Sequence, residues 1–509
     1  MNKIVSSQAM RQCEEANFAA GLADPVELMK TAGENCAGIF MQYCRKYPEF
    51  KRVVIFAGHG NNGGDGVVIA SVLAEKLNQQ TVLAPALPPE KFSSSGKYFF
   101  ARLHKKVALT AAEDIVLQPG DLVIDALLGT GCAAPMREPY KSLINRINAS
   151  SLPVFSVDLP SGLGADVCVK ADMTAAIGCF KEILFTPDGI ENSGALRLAD
   201  LPLKLEPETH GRMFAAHGAW FRTATPAMPR NIHKYQRGNV LIAAGSSEYL
   251  QAPFLTARAA LRCGAGLVRL AVPFTVPPAC GTLGVINQSV PNANGCFDAK
   301  SFEYLQVFTA KANCIAAGPG MGRNPATTDF IARLTELEKP LILDADAIYH
   351  AAAMPEKIQK RKFPTVMTPH RGEAGVLAQA LDIALPDDSA IAAAMLAEAY
   401  NAVVLLKGAR TAIASPDGRI YMNTSGTPAL ATAGSGDVLT GIIAGMIAQN
   451  SSMIDDDAVI AAARGAYLHG LAGEMAELEF GQRGVIADDL ADYAAMAACR
   501  LAGNQDIFG

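Results

Sequence analysis

The chain has 509 residues, of which 50% are hydrophobic and 18% are charged, and its formal net charge is −5. This length exceeds what one hydrophobic core usually serves and favours two domains, while the balance of charges excludes a strongly basic nucleic-acid-binding protein. The 11 cysteines and eight histidines form no CxxC, HxxxH or HExxH pattern, which argues against a disulfide framework, a zinc ribbon or a dedicated transition-metal site.

The first half of the chain predicts helices followed by a parallel sheet. Two helical stretches, at 7–21 and 25–47, precede short β-branched runs that alternate with amphipathic segments. Such alternation is typical of a parallel sheet with helices on both faces. The predicted strands are RVVIFAG (52–58), TVLAPAL (81–87), DLVIDALLG (121–129) and PVFSVDLPSG (153–162), and the predicted helices lie at 67–77, 91–104 and 141–148.

Order fades in a Pro-rich stretch near 201–237, which contains the only tryptophan. We therefore predict a first domain at 1–212, a linker at 213–236 and a second domain at 237–509. Each half predicts a three-layer α/β/α domain, and the first is Rossmann-like. The predicted strands of the second are NVLIAAGSS (239–247), LVRLAVP (267–273), CIAAGPGMG (314–322), PLILDADAI (340–348), PTVMTPHRGE (364–373) and AVVLLKGA (402–409), before an Ala-rich helical region.

The stretch HGNNGGDG (59–66) follows the first predicted strand and predicts a phosphate-binding turn. Glycines let the backbone approach a ligand closely, and the free N–H groups of the next helix attract anions. The spacing is neither GxGxxG nor GxxxxGK[ST], so it indicates neither an ordinary dinucleotide fingerprint nor a P-loop. The alternative is a tight turn in which Asp65 caps the helix.

Two more loops place an aspartate at the end of a predicted strand. DALLGTG does so for Asp125, and VDLPSG does so for Asp158. Ligands of parallel sheets bind beyond the carboxyl ends of the strands, so the three loops are expected to converge on one pocket. For Asp158 the alternative is a cap of the following turn.

These motifs resemble the YjeF N-terminal family, the NAD(P)H-hydrate epimerases, at 61–66, 125–131 and 157–162. The resemblance covers about the first 200 residues and implies interconversion of the R and S forms of hydrated NADH and NADPH. By motif position it implies the following substrate contacts: Asn61, Asn62, Gly63, Gly64, Asp65, Gly129, Thr130, Gly131 and Asp158.

The same resemblance implies a potassium ion and an acid/base residue. Asn62, Asp125 and Ser161 would be the oxygen ligands of K⁺. Asp158 would move the proton that epimerisation requires. Thr174 and Lys181 stand where the family carries a threonine and a lysine, and they would support the site.

In the second half, ATAGSGDVLTG places a small-residue turn before a helix that carries Asp437 in its first turn. The amides of 434–437 and the helix dipole predict an anion hole for a phosphoryl group, and Asp437 could accept the proton of an attacking hydroxyl. The alternative is that GSGD only caps a buried helix. KGART (407–411), GPGMG (318–322) and TPHRGE (368–373) follow other strands and are expected to converge there, although an ordinary surface histidine is the default for His370.

Six ordered blocks between about 238 and 469 resemble the ribokinase-like superfamily and, within it, the YjeF C-terminal family of NAD(P)H-hydrate dehydratases that depend on ADP or ATP. The resemblance implies a ribokinase-like fold for the second domain and Mg²⁺ bound with ADP or ATP. By motif position, the hydrate contacts would be Ala252, Gly320, His370 and Asp437. The nucleotide contacts would be Lys407, Gly408, Ala409, Arg410, Thr411 and Gly436.

The two resemblances together predict a bifunctional enzyme that acts on hydrated NADH and NADPH, with catalytic Asp158 and Asp437. A dehydratase that accepts only the S hydrate needs an epimerase to convert the R form, so each half explains the other. Two alternatives stay open: a ribokinase-like small-molecule kinase fused to a ligand-sensing α/β domain, and a non-catalytic binding protein.

No stretch approaches the roughly 20 apolar residues of a membrane span, and the N-terminus does not resemble a signal peptide. We therefore expect a cytoplasmic protein with no membrane partner and no nucleic-acid partner. We also expect a homo-oligomer.

Overall fold

The computed structural model describes residues 3–131, 134–207, 211–223, 230–274, 284–449 and 455–502. The chain divides into two compact units, with the boundary between Gly211 and Arg212. Within the described ranges, no helix is both long enough and apolar enough to span a membrane.

Among the residues that the structure describes, the first unit is built on seven strands, all in parallel pairs. The strands are β1 (Arg52–Ala57), β2 (Gln80–Pro85), β3 (Ala108–Leu109), β4 (Asp121–Ala126), β5 (Val154–Val157), β6 (Met173–Ile177) and β7 (Ala195–Ala199). The helices are α1 (Ser7–Ala19), α2 (Pro25–Tyr43), α3 (Asn61–Lys76), α4 (Ser94–Phe100), α5 (Tyr140–Ala149) and α6 (Pro187–Asn192). The strand order is β3-β2-β1-β4-β5-β6-β7.

Both faces of this sheet are covered. On β1, Val53 and Ile55 belong to the apolar cluster formed with α2 and α3. Val54 and Phe56 point to the opposite face and belong to the cluster formed with α5. Because side chains alternate across a strand, a strand buried on both faces has a continuous apolar sequence, as VVIFA does here.

The described part of the second unit contains ten strands in the order β11-β10-β9-β12-β13-β14-β15-β16-β17-β8. They are β8 (Met213–Ala216), β9 (Asn239–Ala243), β10 (Leu267–Val272), β11 (Val285–Ser289), β12 (Cys314–Ala317), β13 (Leu341–Leu343), β14 (Thr365–Met367), β15 (Val403–Leu406), β16 (Ala412–Ala414) and β17 (Ile420–Asn423). Neighbours from β11 to β15 are parallel, whereas β16 is antiparallel to both β15 and β17.

The helices of the second unit also cover both faces of their sheet. They are α7 (Gly218–Thr223), α8 (Ala252–Arg262), α9 (Ala299–Thr309), α10 (Pro325–Thr335), α11 (Asp346–Ala352), α12 (Pro355–Gln359), α13 (Arg371–Ala380), α14 (Ser389–Tyr400), α15 (Ser435–Ala448), α16 (Asp455–Phe480) and α17 (Ala487–Ala502). Val240 and Ile242 of β9 join the cluster that contains α15, α16 and α17. Leu241 and Ala243 face the other way and are equally buried. The predicted fold class, two three-layer α/β/α domains, is confirmed.

Helix α15 lies deep in the second unit and packs closely on α8. A Cβ placed on Gly441 would lie 2.1 Å from the carbonyl oxygen of Thr256, and one on Gly445 would lie 2.5 Å from that of Ala260. No side chain fits at such distances, so the two helices are in backbone contact. This contact fixes the position of the N-terminus of α15.

The segment predicted as a linker, 213–236, differs from that prediction at its start. Met213–Ala216 form β8, which pairs in parallel with β17, more than 200 residues further along the chain. The ring of Phe214 stacks on that of Tyr421 with centroids 5.4 Å apart. A four-residue edge strand carries too little periodicity to be recognised without its partner strand.

Candidate active sites

In the first unit, loops after β1, β4 and β5 bring three of the predicted residues together at the carboxyl edge of the sheet. A Cβ placed on Gly129 would lie 3.1 Å from Asp158 Oδ2 and 3.6 Å from the Cβ of Asn62. The expected convergence of the three motifs is therefore present in the structure at these residues. Thr130 is half-buried, and the space beside Gly131 is open.

Asp125 and Ser161 form a buried hydrogen-bonded pair beside that edge. Ser161 Oγ lies 2.5 Å from Asp125 Oδ1, and the Ser161 N–H donates to Asp125 Oδ2 at 2.8 Å. Ser156 Oγ donates to the same carboxylate at 2.9 Å, and the Leu128 N–H donates to Ser161 Oγ at 2.8 Å. Burial raises the pKa of Asp125, although the hydrogen bonds from Ser161 and Ser156 oppose the shift.

The side chain of Asn62 is buried, and neither polar atom of its amide has a hydrogen-bond partner among the described residues. A buried polar group without a partner costs about 1–3 kcal/mol, so such a group in a native site calls for an explanation. Asn62 adjoins Gly129, the neighbour of Leu128, whose N–H binds Ser161. The unpaired amide thus faces the loop that holds the Asp125–Ser161 pair.

The sequence predicted a turn at the NNGGDG motif, but the structure shows a helix there. The motif forms the first six residues of α3, which begins at Asn61 with Gly60 as its N-cap. A Cβ on Gly63 would lie 1.7 Å from the Gly58 carbonyl oxygen, and one on Gly64 would lie 2.6 Å from the Met29 side chain. The glycines therefore let the helix start pack tightly against its neighbours.

Asp65 does not cap this helix, so the alternative proposed for it is wrong. Its side chain lies in the second turn and is buried. Burial raises the pKa of Asp65 well above its ordinary value, and the negative charges of Asp158 and Glu14 add to the shift. Asn61, by contrast, is exposed at the helix start.

Asp158 follows β5 with a φ of 66°, a conformation that non-glycine residues rarely adopt. Its Oδ1 lies 2.5 Å from Nζ of Lys181, a lysine that is only 1% exposed. Lys181 Nζ also donates to the Ile177 carbonyl oxygen at 2.6 Å. Among the described residues the carboxylate accepts from Lys181 and the Ile177 N–H, not from the turn that follows it, so the cap alternative is wrong.

In the second unit, Asp437 is the third residue of α15, and the helix begins after Gly434 with a φ of 88° and no side-chain cap. Burial raises the pKa of Asp437 to about 7; the charge of Asp344 adds to the shift and that of Lys407 opposes it. A carboxyl group with this pKa exchanges its proton near neutral pH, which suits a general base.

Lys407 reaches the start of the same helix. A Cβ placed on Gly436 would lie 3.4 Å from Lys407 Nζ. The ammonium group is held by Asp344, whose Oδ1 lies 2.9 Å away, and Glu373 Oε2 lies 3.8 Å away. The structure therefore brings Lys407, Gly436 and Asp437 together.

The other residues of KGART occupy the loop after β15. Gly408 and Ala409 are exposed, and Arg410 is buried. The hydroxyl of Thr411 donates to the Gly408 carbonyl oxygen at 3.1 Å. Two exposed small residues leave the backbone of this loop accessible to a ligand.

Two of the predicted hydrate contacts, Ala252 and Gly320, are neighbours. Ala252 is the first residue of α8, and a Cβ on Gly320 would lie 3.3 Å from the Ala252 Cβ and 2.7 Å from the Tyr249 Cβ. Gly320 has a φ of 63°, which favours glycine. The loops after β9 and β12 therefore meet at this point.

His370 is the N-cap of α13. Its Nδ1 accepts from the N–H groups of Gly372 at 3.0 Å and Glu373 at 3.2 Å, and the His370 N–H donates to Glu373 Oε2 at 2.8 Å. Its side chain is 60% exposed. A backbone bridge between His370 and Lys407 nevertheless keeps the two loops adjacent.

Comparison with known proteins covers both units. Residues 240–495 match the family described as NAD(P)H-hydrate dehydratase, and residues 25–183 match the YjeF-related protein N-terminus. The bifunctional NAD(P)H-hydrate repair enzyme of Moorella thermoacetica is 35% identical to this chain, over 96% of this chain and 95% of the relative. The chain belongs to the bifunctional NAD(P)H-hydrate repair enzymes.

A second relative gives the same result. The bifunctional NAD(P)H-hydrate repair enzyme of Gloeobacter violaceus is 34% identical over 96% of each chain. A solved structure of an ADP/ATP-dependent NAD(P)H-hydrate dehydratase from Bacillus subtilis is 25% identical, covers 57% of this chain and 98% of that chain, and has a TM-score of 0.46. The family resemblances predicted from the motifs are confirmed by the family matches and the relatives.

Three residues near the candidate sites of this repair enzyme were not predicted from the sequence. Glu14 of α1 lies near the Asp158–Lys181 pair: burial raises the pKa of Glu14 to about 6, Lys181 opposes the shift and Asp158 adds to it. Asp344 holds Lys407, and His469 of α16 lies 3.1 Å from Ser435 Oγ through its Nε2. Asp344 lies in the predicted strand segment PLILDADAI (340–348), after the apolar run, and an aspartate at a strand end is a signal that could have identified it.

Proposed function

We propose that the first unit epimerises the R and S hydrates of NADH and NADPH and that the second unit dehydrates the S form to NADH or NADPH. The second reaction would consume ADP or ATP and release phosphate. Membership of the bifunctional repair enzymes over nearly the whole chain supports both activities. The observation that carries the dehydration chemistry is Asp437, with a pKa of about 7, in the first turn of α15 beside Lys407.

Dehydration needs help because hydroxide is a poor leaving group. Asp437 would take the proton of the ring hydroxyl. The hydroxyl oxygen would at the same time attack the terminal phosphorus of the nucleotide, and the bond between that phosphorus and the rest of the nucleotide would break. The ring nitrogen's lone pair would then expel phosphate from the carbon, and the adjacent carbon would lose a proton to restore the dihydronicotinamide. The free N–H groups at the start of α15 would bind the transferred phosphoryl group.

Magnesium would enter this site with the nucleotide. Among the described residues, no group of three or more His, Cys, Asp or Glu side chains is arranged to hold a metal ion by itself. Mg²⁺ commonly keeps several waters and binds through substrate phosphates with one or two carboxylates. A site without a full set of protein ligands is therefore compatible with this ion. The ion would screen the charge of the phosphates.

In the first unit, Asp158 would move the proton that epimerisation requires, and Lys181 would hold its carboxylate in position. Potassium fits the adjacent donors, because a hard cation prefers oxygen ligands. The unpaired amide of Asn62, the carboxylate of Asp125 and the hydroxyl of Ser161 would hold it. A cation there would supply positive charge next to the pocket.

One assay tests the proposal. Purified protein is mixed with R and S NADH hydrates and with ADP or ATP, and the absorbance of reduced nicotinamide and the released phosphate are followed together. We expect both hydrates to be converted and one phosphate to appear for each NADH. A stable phosphorylated product without NADH would instead indicate a small-molecule kinase, and no turnover would indicate a binding protein.

A further inference from the structure

Asp344 is the centre of a buried hydrogen-bond network that joins four elements of the second unit. It follows β13 and is 1% exposed. Its carboxylate accepts from Lys407 Nζ after β15 at 2.9 Å, from Thr368 Oγ1 after β14 at 2.8 Å and from Thr440 Oγ1 of α15 at 2.7 Å. With donors on both oxygens, this carboxylate has its position fixed.

The network places a lysine where a helix would ordinarily disfavour it. The N-terminus of a helix carries partial positive charge, so a cation there is unfavourable unless an anion holds it. Lys407 Nζ lies close enough to the start of α15 that a Cβ on Gly436 would be 3.4 Å away. Asp344 is the anion that holds it. The ammonium group and the helix N-terminus thus present positive charge to the same space.

We propose that Asp344 is a positioning residue for phosphoryl transfer, which holds the Lys407 ammonium group where it contacts the phosphoryl group in flight. This inference rests on the proposed dehydratase function and assigns roles within that site. The sequence implied that Lys407 is a general nucleotide contact. The geometry favours a contact with the transferred group, because Lys407 lies beside the residue before Asp437 rather than with the exposed part of its own loop.

Charged and titratable groups face Asp437 from each surrounding element. They are Asp344, Asp346 of α11, Glu373 of α13 and Lys407 after β15, while His469 of α16 contacts Ser435 at the start of the same helix. Burial lowers the pKa of His469 to about 4, so this histidine is neutral at neutral pH. Lys407 is therefore the cation of this set. Removing its charge should make Asp437 harder to ionise.

The test is a double-mutant cycle on the full chain, with S-hydrate dehydration as the readout. We expect Asp344→Asn and Lys407→Met each to lower kcat by roughly 100-fold, the size of effect seen when one group that stabilises a transition state is lost. The KM for the nucleotide should change by less than about threefold, since the contact forms in the transition state. The double variant should be no slower than Lys407→Met alone, because Asp344 acts through Lys407.

Thr368→Val is the matched control, since it removes a donor to Asp344 and leaves the Asp344–Lys407 pair intact. We expect it to retain kcat within about fivefold. The acid limb of the pH profile should move to higher pH in Lys407→Met, which a purely structural role would not cause. Lys407→Arg keeps the charge and should retain more activity than Lys407→Met. This comparison does not use Asp344→Asn, so it tests the role of the charge even if that variant does not fold.

The outcomes separate this inference from the proposed function. If the unmodified protein does not dehydrate the S hydrate, the proposed function is wrong. If it does, but Asp344→Asn keeps its kcat, the losses multiply in the double variant, or Lys407→Arg is as slow as Lys407→Met, then the positioning role is overturned.

Discussion

The ammonium group of Lys181 lies 2.5 Å from the carboxylate of Asp158, and both side chains are largely shielded from water. Lys181→Met would leave a mostly buried carboxylate without its cation. We expect it to lower the free energy of unfolding of the first unit by about 3 kcal/mol and to slow epimerisation. Thermal unfolding and the R-to-S exchange rate measure the two effects.

The control for this prediction is a pair on the surface of the same unit. Lys141 and Asp166 lie 2.9 Å apart with side chains 42% and 37% exposed. Exposed pairs contribute about 0–1 kcal/mol, so Lys141→Met should unfold almost as the parent protein does. Equal losses in the two variants would show that burial of the Lys181 pair has no special importance.

Asp158→Asn should separate repair of the two hydrates. With an equal mixture of R and S hydrates and excess nucleotide, the variant should convert the S portion at the normal rate and the R portion only as fast as it epimerises without enzyme. Asp437→Asn should show the opposite pattern, with epimers still exchanging and no NADH formed. Reduced-nicotinamide absorbance and separation of the epimers follow both. Full-rate recovery of the R hydrate by Asp158→Asn would rule out its acid/base role.

The pKa of Asp437, about 7, predicts the pH dependence of dehydration. A base must be deprotonated, so kcat/KM for the S hydrate should fall roughly tenfold for each pH unit below that value. The same shift affects stability, because folding raises the pKa and the folded chain binds the proton more tightly. This stabilisation is complete below the ordinary pKa of aspartate and is lost as the pH rises through about 7.

Asp437→Asn should therefore raise the unfolding temperature of the second unit more at pH 8 than at pH 5. The asparagine carries no charge that burial could disfavour. Calorimetry at the two pH values measures the difference. An equal change at both would mean that the carboxyl group titrates in the folded chain as it does in the unfolded chain.

Potassium should accelerate epimerisation and leave dehydration of the pure S hydrate unchanged. Asp125→Asn should abolish the potassium response, because it removes the charged ligand. Ser156→Ala is the control: Ser156 binds the same carboxylate at 2.9 Å but is not among the expected ligands, so its variant should still respond. Epimerisation rates in K⁺ and in a large organic cation provide the comparison. A rate that is independent of K⁺ would contradict the proposed ion site.

The alternation of strands and helices could be predicted from the sequence because the central strands are buried on both faces, as Val53 to Phe56 illustrate. The convergence of Asn62, Gly129 and Asp158 followed from the parallel topology. The start of α3 at Asn61 could not be predicted from the sequence. Gly63 and Gly64 have low helix propensity and suggest a turn, but close packing against Gly58 and Met29 outweighs that preference.

Residues that act through distant partners were the harder part of the site to predict. Glu14 lies outside the three motifs. It comes close to Lys181 because the start of the chain pairs with the segment that carries this lysine, where the Val5 N–H donates to the Phe180 carbonyl oxygen at 3.0 Å. Asp344 lies within the predicted strand segment PLILDADAI, yet its importance depends on Lys407, 63 residues away. Such relationships are set by tertiary contacts, which local patterns do not encode.

The backbone contact between α8 and α15 has a consequence for how the second site can change over evolution. Ala252 begins α8, and Asp437 lies one turn before Gly441 on α15, so the proposed hydrate contact and the proposed base share one rigid support. Any side chain larger than hydrogen at 441 would push the two apart. Drift in substrate preference should therefore occur in the surrounding loops, while the spacing of this helix pair is inherited unchanged.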